Sequence, residues 1–171
     1  MKTQTLNAKM VPEGFTLSMA LVDALPVLLF CGSSFLVAKK FGSALFWAGA
    51  VLCIAAGMGK VLWKIIIVAR KQNAWLLNRQ MRYLMPLGFL LMLLAVCLCR
   101  EQIPFAALWQ AVFSLPAILF FSVGIIGMLC MMIYAKRLDG ASAKANWLEQ
   151  ITNTAAQGML FLGVLFTTGT L

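Results

Sequence analysis

The sequence predicts an all-α integral membrane protein of about five transmembrane helices, and composition is the first observation behind this prediction. Of the 171 residues, 63% are hydrophobic and 11% are charged. Soluble domains average about 45–50% apolar and about 25% charged residues. A soluble chain of this length could not bury so much apolar surface, because a domain of about 150 residues leaves roughly 30% of its chain surface in water. Lipid must therefore solvate part of the chain.

Five apolar runs are the second observation, because a helix needs about 20 mostly apolar residues to cross a bilayer. The predicted spans are residues 15–38, 44–68, 83–99, 107–134 and 148–170, in a single transmembrane domain that covers residues 1–171. The first run is too long for a signal peptide and contains Asp23 and Pro26, which indicates a retained helix. The fourth run is long enough to require tilting or extension into the interface. The fifth has a polar first half.

The distribution of Lys and Arg predicts the orientation of these spans. Basic residues concentrate in the N-terminal tail, with Lys2 and Lys9, and in the second and fourth loops, which share one side of a five-span protein. The opposite side holds Lys39, Lys40 and Arg100. Because cytoplasmic loops are enriched in Lys and Arg, we expect the N-terminus in the cytoplasm and the C-terminus outside. The expected location is a cell membrane, specifically a bacterial cytoplasmic membrane.

A weak similarity between the two halves of the chain raises the hypothesis of an inverted repeat. Residues 25–30 (LPVLLF) resemble residues 115–120 (LPAILF), and Trp47 with Ala55-Ala56 parallels Trp147 with Ala155-Ala156. With one helix between the pairs, the arrangement would be 2+1+2 with the halves inverted, as in many secondary transporters. The alternative is chance similarity between apolar segments drawn from few residue types.

Two ionisable residues lie at matching depth in the first two spans. Asp23 and Lys60 are each eight residues from the predicted cytoplasmic end of their span, which is roughly 12 Å at the rise of an α-helix. We therefore expect an Asp23–Lys60 ion pair, with Lys64 one turn further out and extended towards the interface. Ionisable groups at membrane depth mark a functional site or a structural pair by default. Small residues on the same face of the second span predict that it packs on protein; they are Gly49, Cys53, Ala56 and Gly57.

The fifth span adds a polar face, because Asn146, Gln150, Asn153 and Gln157 recur at helical spacing. Amides that faced lipid would be left without hydrogen-bond partners, so this face must meet protein or water. The sequence thus predicts a cytoplasm-facing polar cavity. Its expected substrate-binding residues are Asp23, Lys60, Lys64, Asn153 and Gln157, and its expected rim is Arg79, Arg82, Tyr83 and Glu149. The alternative is that these groups only hold helices together.

Several classes of function are made less probable by what the sequence lacks. The chain has no histidine, and its five cysteines form no CxxC motif, so we expect neither a metal site nor a cofactor. No GxxxxGK[ST] loop is present that would bind a nucleotide. The net charge of +9 comes from bases beside apolar runs, not from one basic stripe, so nucleic acid is not an expected partner.

Three functional hypotheses remain. The leading one is a transporter or channel for a small solute, for which two lysines beside one buried aspartate favour an anion or zwitterion. The first alternative is a non-catalytic membrane subunit or scaffold of a larger complex. The second is an intramembrane enzyme acting on a lipid or isoprenoid, although no suitably spaced carboxylate pair and no G-x-S-x-G elbow support it. Expected partners are membrane lipids, a small-molecule or ion ligand, and a second copy of the chain or a partner membrane subunit.

Overall fold

The computed structural model describes Val11 and residues 14–138 and 142–170. Every regular element in these ranges is helical, which confirms an all-α fold. In chain order the elements are α1 (Leu17–Phe41), α2 (Ala44–Arg70), α3 (Trp75–Arg79), α4 (Met81–Leu98), a single 3-10 turn (Arg100–Gln102), α5 (Phe105–Phe113), α6 (Ala117–Arg137) and α7 (Ala143–Thr170). Lys2 and Lys9, which contributed to the predicted orientation, lie outside the described residues.

Capping residues set the boundaries of the first two helices. Thr16 Oγ1 accepts a hydrogen bond from Met19 N at 3.2 Å, and Ser43 Oγ accepts one from Phe46 N at 3.4 Å; both satisfy amides that a helix start leaves unpaired. α1 ends at Gly42, whose φ of 63° is the left-handed conformation that glycine adopts without strain. The chain reverses there, and α2 begins immediately.

Four helices are long and apolar enough to cross a membrane: Leu17–Lys40, Ala44–Arg70, Trp75–Leu98 and Ala117–Tyr134. Large apolar side chains stand exposed on their outer faces, for example Leu93 of α4 (63%) and Ile126 of α6 (60%). Contiguous exposed apolar surface of this kind needs lipid as its solvent, which indicates a membrane-embedded protein. α7 is as long as these helices but is not among the four, because its first half is polar.

The predicted fourth span, residues 107–134, is not one helix. α5 ends at Phe113 and α6 begins at Ala117. Pro116 has no backbone N–H and disfavours a helical conformation at the residue before it, while the Ser114 hydroxyl donates to Ala111 O at 2.7 Å and closes the end of α5. Hydropathy continues across this break, so an apolar run alone could not reveal it. The span is therefore confined to α6, and α5 packs against α6 and α7.

The long helices pack in the order α4–α2–α1–α7–α6, so α1 lies between α2 and α7. α1 and α7 run parallel: Met19 lies beside Gln150, and Gly32, further along α1, lies beside Phe161. α6 and α7 run antiparallel, since Gly127 faces Ala156 and Gly163 faces Phe121. The first and the last of the described helices are therefore direct neighbours.

Glycines allow the closest helix crossings. A Cβ added to Gly88 of α4 would come within 2.6 Å of both Gly49 O and Cys53 Sγ of α2, and one added to Gly127 of α6 would lie 2.7 Å from Ala156 Cβ of α7. Small residues let helix backbones approach in this way, and the approach increases van der Waals contact. As predicted, Gly49 and Cys53 face protein, and the helix that they face is α4.

Candidate functional site

A buried ion pair joins α1 to α2. Lys64 Nζ lies 3.0 Å from Asp23 Oδ2, and the two side chains are only 1% and 6% exposed. Asp23 Oδ2 makes no hydrogen bond of favourable angle, so the contact is an ion pair by distance alone. Both charges have been removed from water, and each stabilises the other only while the partner is present.

The structure pairs Asp23 with Lys64, whereas the sequence predicted Lys60 as its partner. Lys64 was expected to extend towards the interface, yet it is among the largest fully buried side chains of the described chain. Lys60 is only partly buried. Asp23 and Lys64 lie at matching depth, each six residues inside its helix as counted from Leu17 and Arg70. Depth matching was therefore the correct criterion, but it selected the wrong lysine.

The ends of the two helices explain this correction. Lys60 was selected because the first span was predicted to begin at residue 15 and the second to end at residue 68. α1 begins at Leu17 and α2 ends at Arg70, so the match in depth moves by four residues, about one helical turn, from Lys60 to Lys64. Lys64 also shares the face that meets α1, because it is seven residues, about two helical turns, from Gly57, which packs against Val27 of α1.

Gln150 of α7 completes the cluster. With its amide oriented to satisfy both neighbours, the Gln150 nitrogen donates to Met19 O at 3.0 Å, and its oxygen accepts from Lys64 Nζ. Gln150 is 2% exposed. Asp23, Lys64 and Gln150 thus meet where α1, α2 and α7 adjoin, and we call this set the three-helix junction.

The other amides predicted for the site lie elsewhere on α7. Gln157 Nε2 donates to Met128 Sδ of α6 at 3.6 Å, and Asn153 is partly buried. Lys64 lies one turn nearer the C-terminal end of α2 than Lys60. The residue of α7 at the same depth therefore lies about one turn nearer the N-terminal end of α7 than Asn153, and that residue is Gln150. The polar face predicted for α7 already included Gln150. The site was, however, expected at the depth of Lys60, so Asn153 and Gln157 were chosen instead.

An apolar cluster covers the junction on the side where α1 begins. The Phe15 ring centroid is 5.9 Å from Lys64 Nζ, and Phe15 packs edge-on against Trp63 at 5.8 Å. Met19 and Ile67 complete this buried cluster. We call Phe15, Met19, Trp63 and Ile67 the apolar cap. Because the cap is buried together with the pair beneath it, the expected open cavity is closed to solvent in this structure.

Three of the four predicted rim residues are exposed, in contrast to the buried junction. Arg79, Arg82 and Tyr83 are exposed, and the Arg79 guanidinium lies 5.0 Å from the Trp75 ring centroid within α3. Glu149 is partly buried. Glu149 and Lys60 are close enough to the Lys64 ammonium for their opposite charges to act on it. Of the expected rim, Glu149 is thus the residue connected to the junction, through its charge.

The chemistry of the junction is that of charge and hydrogen bonding. It contains one carboxylate, one ammonium and one amide. The described part of the chain holds no group of three or more His, Cys, Asp or Glu residues that could bind a metal ion. No protein-family model, curated protein or solved structure matches this sequence.

Proposed function

We propose that the protein is a small transporter or channel, and that its solute acts at the three-helix junction. The supporting observation is the buried Asp23–Lys64 pair, about 9 Å inside the helix ends at the rise of an α-helix. Ionisable groups at membrane depth are costly and commonly mark ion or substrate pathways. An anion or a zwitterion suits this site best, because its negative group would replace the Asp23 carboxylate beside the Lys64 ammonium.

This proposal includes a five-span topology in a bacterial cytoplasmic membrane, with the N-terminus inside, the C-terminus outside and α7 as the fifth span. The 28 residues of α7 correspond to about 42 Å, which exceeds the hydrocarbon thickness of a bilayer. α7 also runs parallel to α1. Successive spans cross a membrane in alternating directions, so the first and the fifth of five spans must run in the same direction. The amide of Gln150 meets α1 and α2, and that of Gln157 meets α6, so lipid need not solvate these two side chains.

The 2+1+2 inverted repeat remains a hypothesis to which the packing gives no support. α1–α2 and α6–α7 are both antiparallel hairpins, as such a repeat requires. A twofold axis that related the hairpins would exchange α1 with α6 and α2 with α7. The contact between α1 and α7 would then require an equivalent contact between α6 and α2. Within the described ranges, α2 and α6 make no contact of comparable extent.

A non-catalytic membrane subunit is the second candidate, and one observation favours it. The junction is closed, and the Lys64 ammonium has two acceptors from its own chain, as a purely structural interhelical contact would. A partner subunit or a second copy would then cover part of the apolar surface. No contact described above favours the third hypothesis, an enzyme that acts on a lipid or isoprenoid.

A ligand screen by thermal unfolding of the purified protein separates these candidates. A ligand that binds only the folded state raises the unfolding midpoint by mass action. We expect a small anion or zwitterion to stabilise the wild-type protein and the control variant Lys60→Met, but not Lys64→Met. The double variant Asp23→Asn/Lys64→Met leaves no unpaired charge and so keeps the comparison valid if Lys64→Met fails to fold.

A ligand found in this way is then tested for flux into liposomes that contain the protein. Uptake that requires Lys64 supports a transporter. If no ligand shifts the wild-type midpoint and the charge variants are merely less stable, the pair is structural, and the subunit hypothesis replaces the transporter.

A further inference from the structure

We infer that the three-helix junction is an electroneutral site that takes up one proton and one small monovalent anion together. The proton binds to the Asp23 carboxylate, and the anion binds to the Lys64 ammonium. This inference rests on the proposed function, because it names the ligand class and the coupling ion of the same site.

Charge balance is the first argument. Asp23 and Lys64 sum to zero charge, and both are at least 94% buried. An anion that entered alone would leave one uncompensated negative charge among apolar side chains, and a proton alone would leave one positive charge. An unpaired buried charge is strongly unfavourable. When the two ions enter together, the junction stays neutral, so the binding of each favours the binding of the other.

The contacts of Lys64 show how the ammonium would be retained. An ammonium has three donors; Lys64 donates one to the Gln150 oxygen, and its Nζ lies 3.0 Å from Asp23 Oδ2, with the Phe15 ring nearby. When a hydronium ion of the aqueous phase protonates Asp23, an O–H bond forms on the carboxylate, a water molecule is released, and the ionic contact between Asp23 and Lys64 is lost. Lys64 keeps its own three protons and its contact with Gln150. The anion then binds to the ammonium through a donor that Gln150 does not use.

Thr154 offers a second donor to such an anion. Its hydroxyl is buried and makes no hydrogen bond with any described group. Thr154 follows Gln150 by one helical turn and precedes Gly158, which faces Leu29 of α1. It therefore lies on the face of α7 that meets α1, next to the level of Asp23. Buried hydroxyls almost always have a partner, and a bound anion would supply one.

Other charged groups near the junction leave this balance unchanged. Lys60 from α2 and Glu149 from α7 act on Lys64 with opposite signs, and both are partly exposed. Arg79 of α3 and Arg82 of α4 are in solvent. Within the described residues of α1 around the junction, Asp23 is the titratable group. The proton is therefore assigned to Asp23.

Nitrate binding measured between pH 5 and pH 8 tests the inference on the intact protein. The unfolding midpoint is measured in sodium nitrate and in sodium gluconate of equal ionic strength. Because the coupling is reciprocal, we expect the apparent dissociation constant for nitrate to fall by up to about tenfold for each unit by which the pH is lowered. Asp23→Asn imitates the protonated carboxyl, so it should bind nitrate equally well at every pH. Lys64→Met and the double variant Asp23→Asn/Lys64→Met should not bind nitrate.

Two outcomes overturn the inference: nitrate binding by the wild-type protein that does not depend on pH, or a folded Asp23→Asn variant that does not bind nitrate. Liposomes distinguish this failure from failure of the proposed function. If an inward nitrate gradient acidifies their interior, both are supported. pH-dependent binding without flux supports the site and contradicts the transporter. Flux of another solute without pH-dependent nitrate binding contradicts the site alone.

Discussion

Lys64 is an ammonium in a position that neighbouring helices surround almost completely with apolar side chains. It is tolerated because Asp23 supplies the opposite charge and Gln150 supplies a neutral acceptor. A hydrophobic replacement of the whole pair would avoid the cost of desolvating two charges, whereas removal of one partner leaves the other charge unpaired. Stability measurements can therefore show that these residues act as a pair.

The first prediction concerns this pair. Lys64→Met should lower the free energy of unfolding by about 3–5 kcal/mol, because it leaves Asp23 as an uncompensated buried charge. The double variant Asp23→Asn/Lys64→Met should lose much less than the sum of the two single variants. Chemical unfolding in mixed micelles provides the measurement. Lys60→Met is the control, with an expected change of less than about 1 kcal/mol for a partly exposed charge outside the pair; an equal loss in both single lysine variants would contradict the pairing.

The second prediction separates two amides of α7. Gln150→Leu should cost about 1–3 kcal/mol of unfolding free energy, because an acceptor of the buried ammonium is removed. Gln157→Leu should cost less, since its amide donates to a methionine sulfur, which is a weak acceptor. The same unfolding experiment ranks the two variants. The reverse order would mean that the junction is not where α7 stabilises the fold.

The residue types of the junction could be predicted from the sequence, but the choice of lysine could not. Asp23 and a lysine of α2 were expected to pair, and an amide face on α7 was expected to meet protein. The choice between Lys60 and Lys64 depends on where α1 begins and where α2 ends, because a shift of two residues at each of these ends moves the depth match by one helical turn. Hydropathy does not fix helix ends to that precision.

At the scale of helices, the crossing of α2 and α4 depends on two glycines that face each other. The third prediction is that Gly88→Ala lowers the free energy of unfolding by about 1–3 kcal/mol, since the new methyl group would overlap Gly49 O and Cys53 Sγ. Gly158→Ala in α7 is the matched control. Its Cβ would meet Leu29 Cδ1 at 3.9 Å, so the higher helix propensity of alanine should stabilise it by up to about 1 kcal/mol.

Comparison of the two alanine variants by unfolding tests the crossing directly. Both replace a glycine inside a helix, so helix propensity contributes equally to each, and only the space around the new methyl group differs. If Gly88→Ala proved as stable as Gly158→Ala, the close approach of α2 and α4 would be wrong.

The starts of the first two helices were predicted from hydropathy to within two residues, at 15 and 44 against Leu17 and Ala44. The division between α5 and α6 was not predicted. Its determinants, Ser114 and Pro116, are local backbone features inside an uninterrupted apolar run, and proline is also common within membrane helices. A hydropathy profile averages over such a break.

At the scale of the whole molecule, the fourth prediction concerns topology. A reporter that is active only outside the cytoplasm should be inactive when fused after Arg79, and active when fused after Arg100 or at the C-terminus. Lys and Arg are concentrated on the side of the membrane from which α1 starts, and cytoplasmic loops are enriched in these residues. That side, which includes Arg79, is therefore expected to be cytoplasmic. If the fusion after Arg100 were active and the C-terminal one inactive, α7 would not cross the membrane, and the five-span topology would be wrong.

The sequence predicted that the first, second and fifth spans meet, but not the order of all the long helices. The polar residues of spans one, two and five were expected to line one shared cavity, and α7 does pack against α1, with Gln150 beside Met19 and Lys64. The contact of α1 with α7 joins segments that are far apart in the sequence. The order of the remaining helices depends on shape and polarity on both partners of each contact at once.

The parallel contact between α1 and α7 has a consequence for biosynthesis. α1 leaves the ribosome well before α7, so one flank of α1 has no permanent neighbour until α7 has been translated. Asp23 and Lys64 can pair as soon as α2 has been inserted, but Gln150 arrives only with α7. A chain that stalls before α7 would therefore leave one side of a buried charge pair uncovered within the membrane.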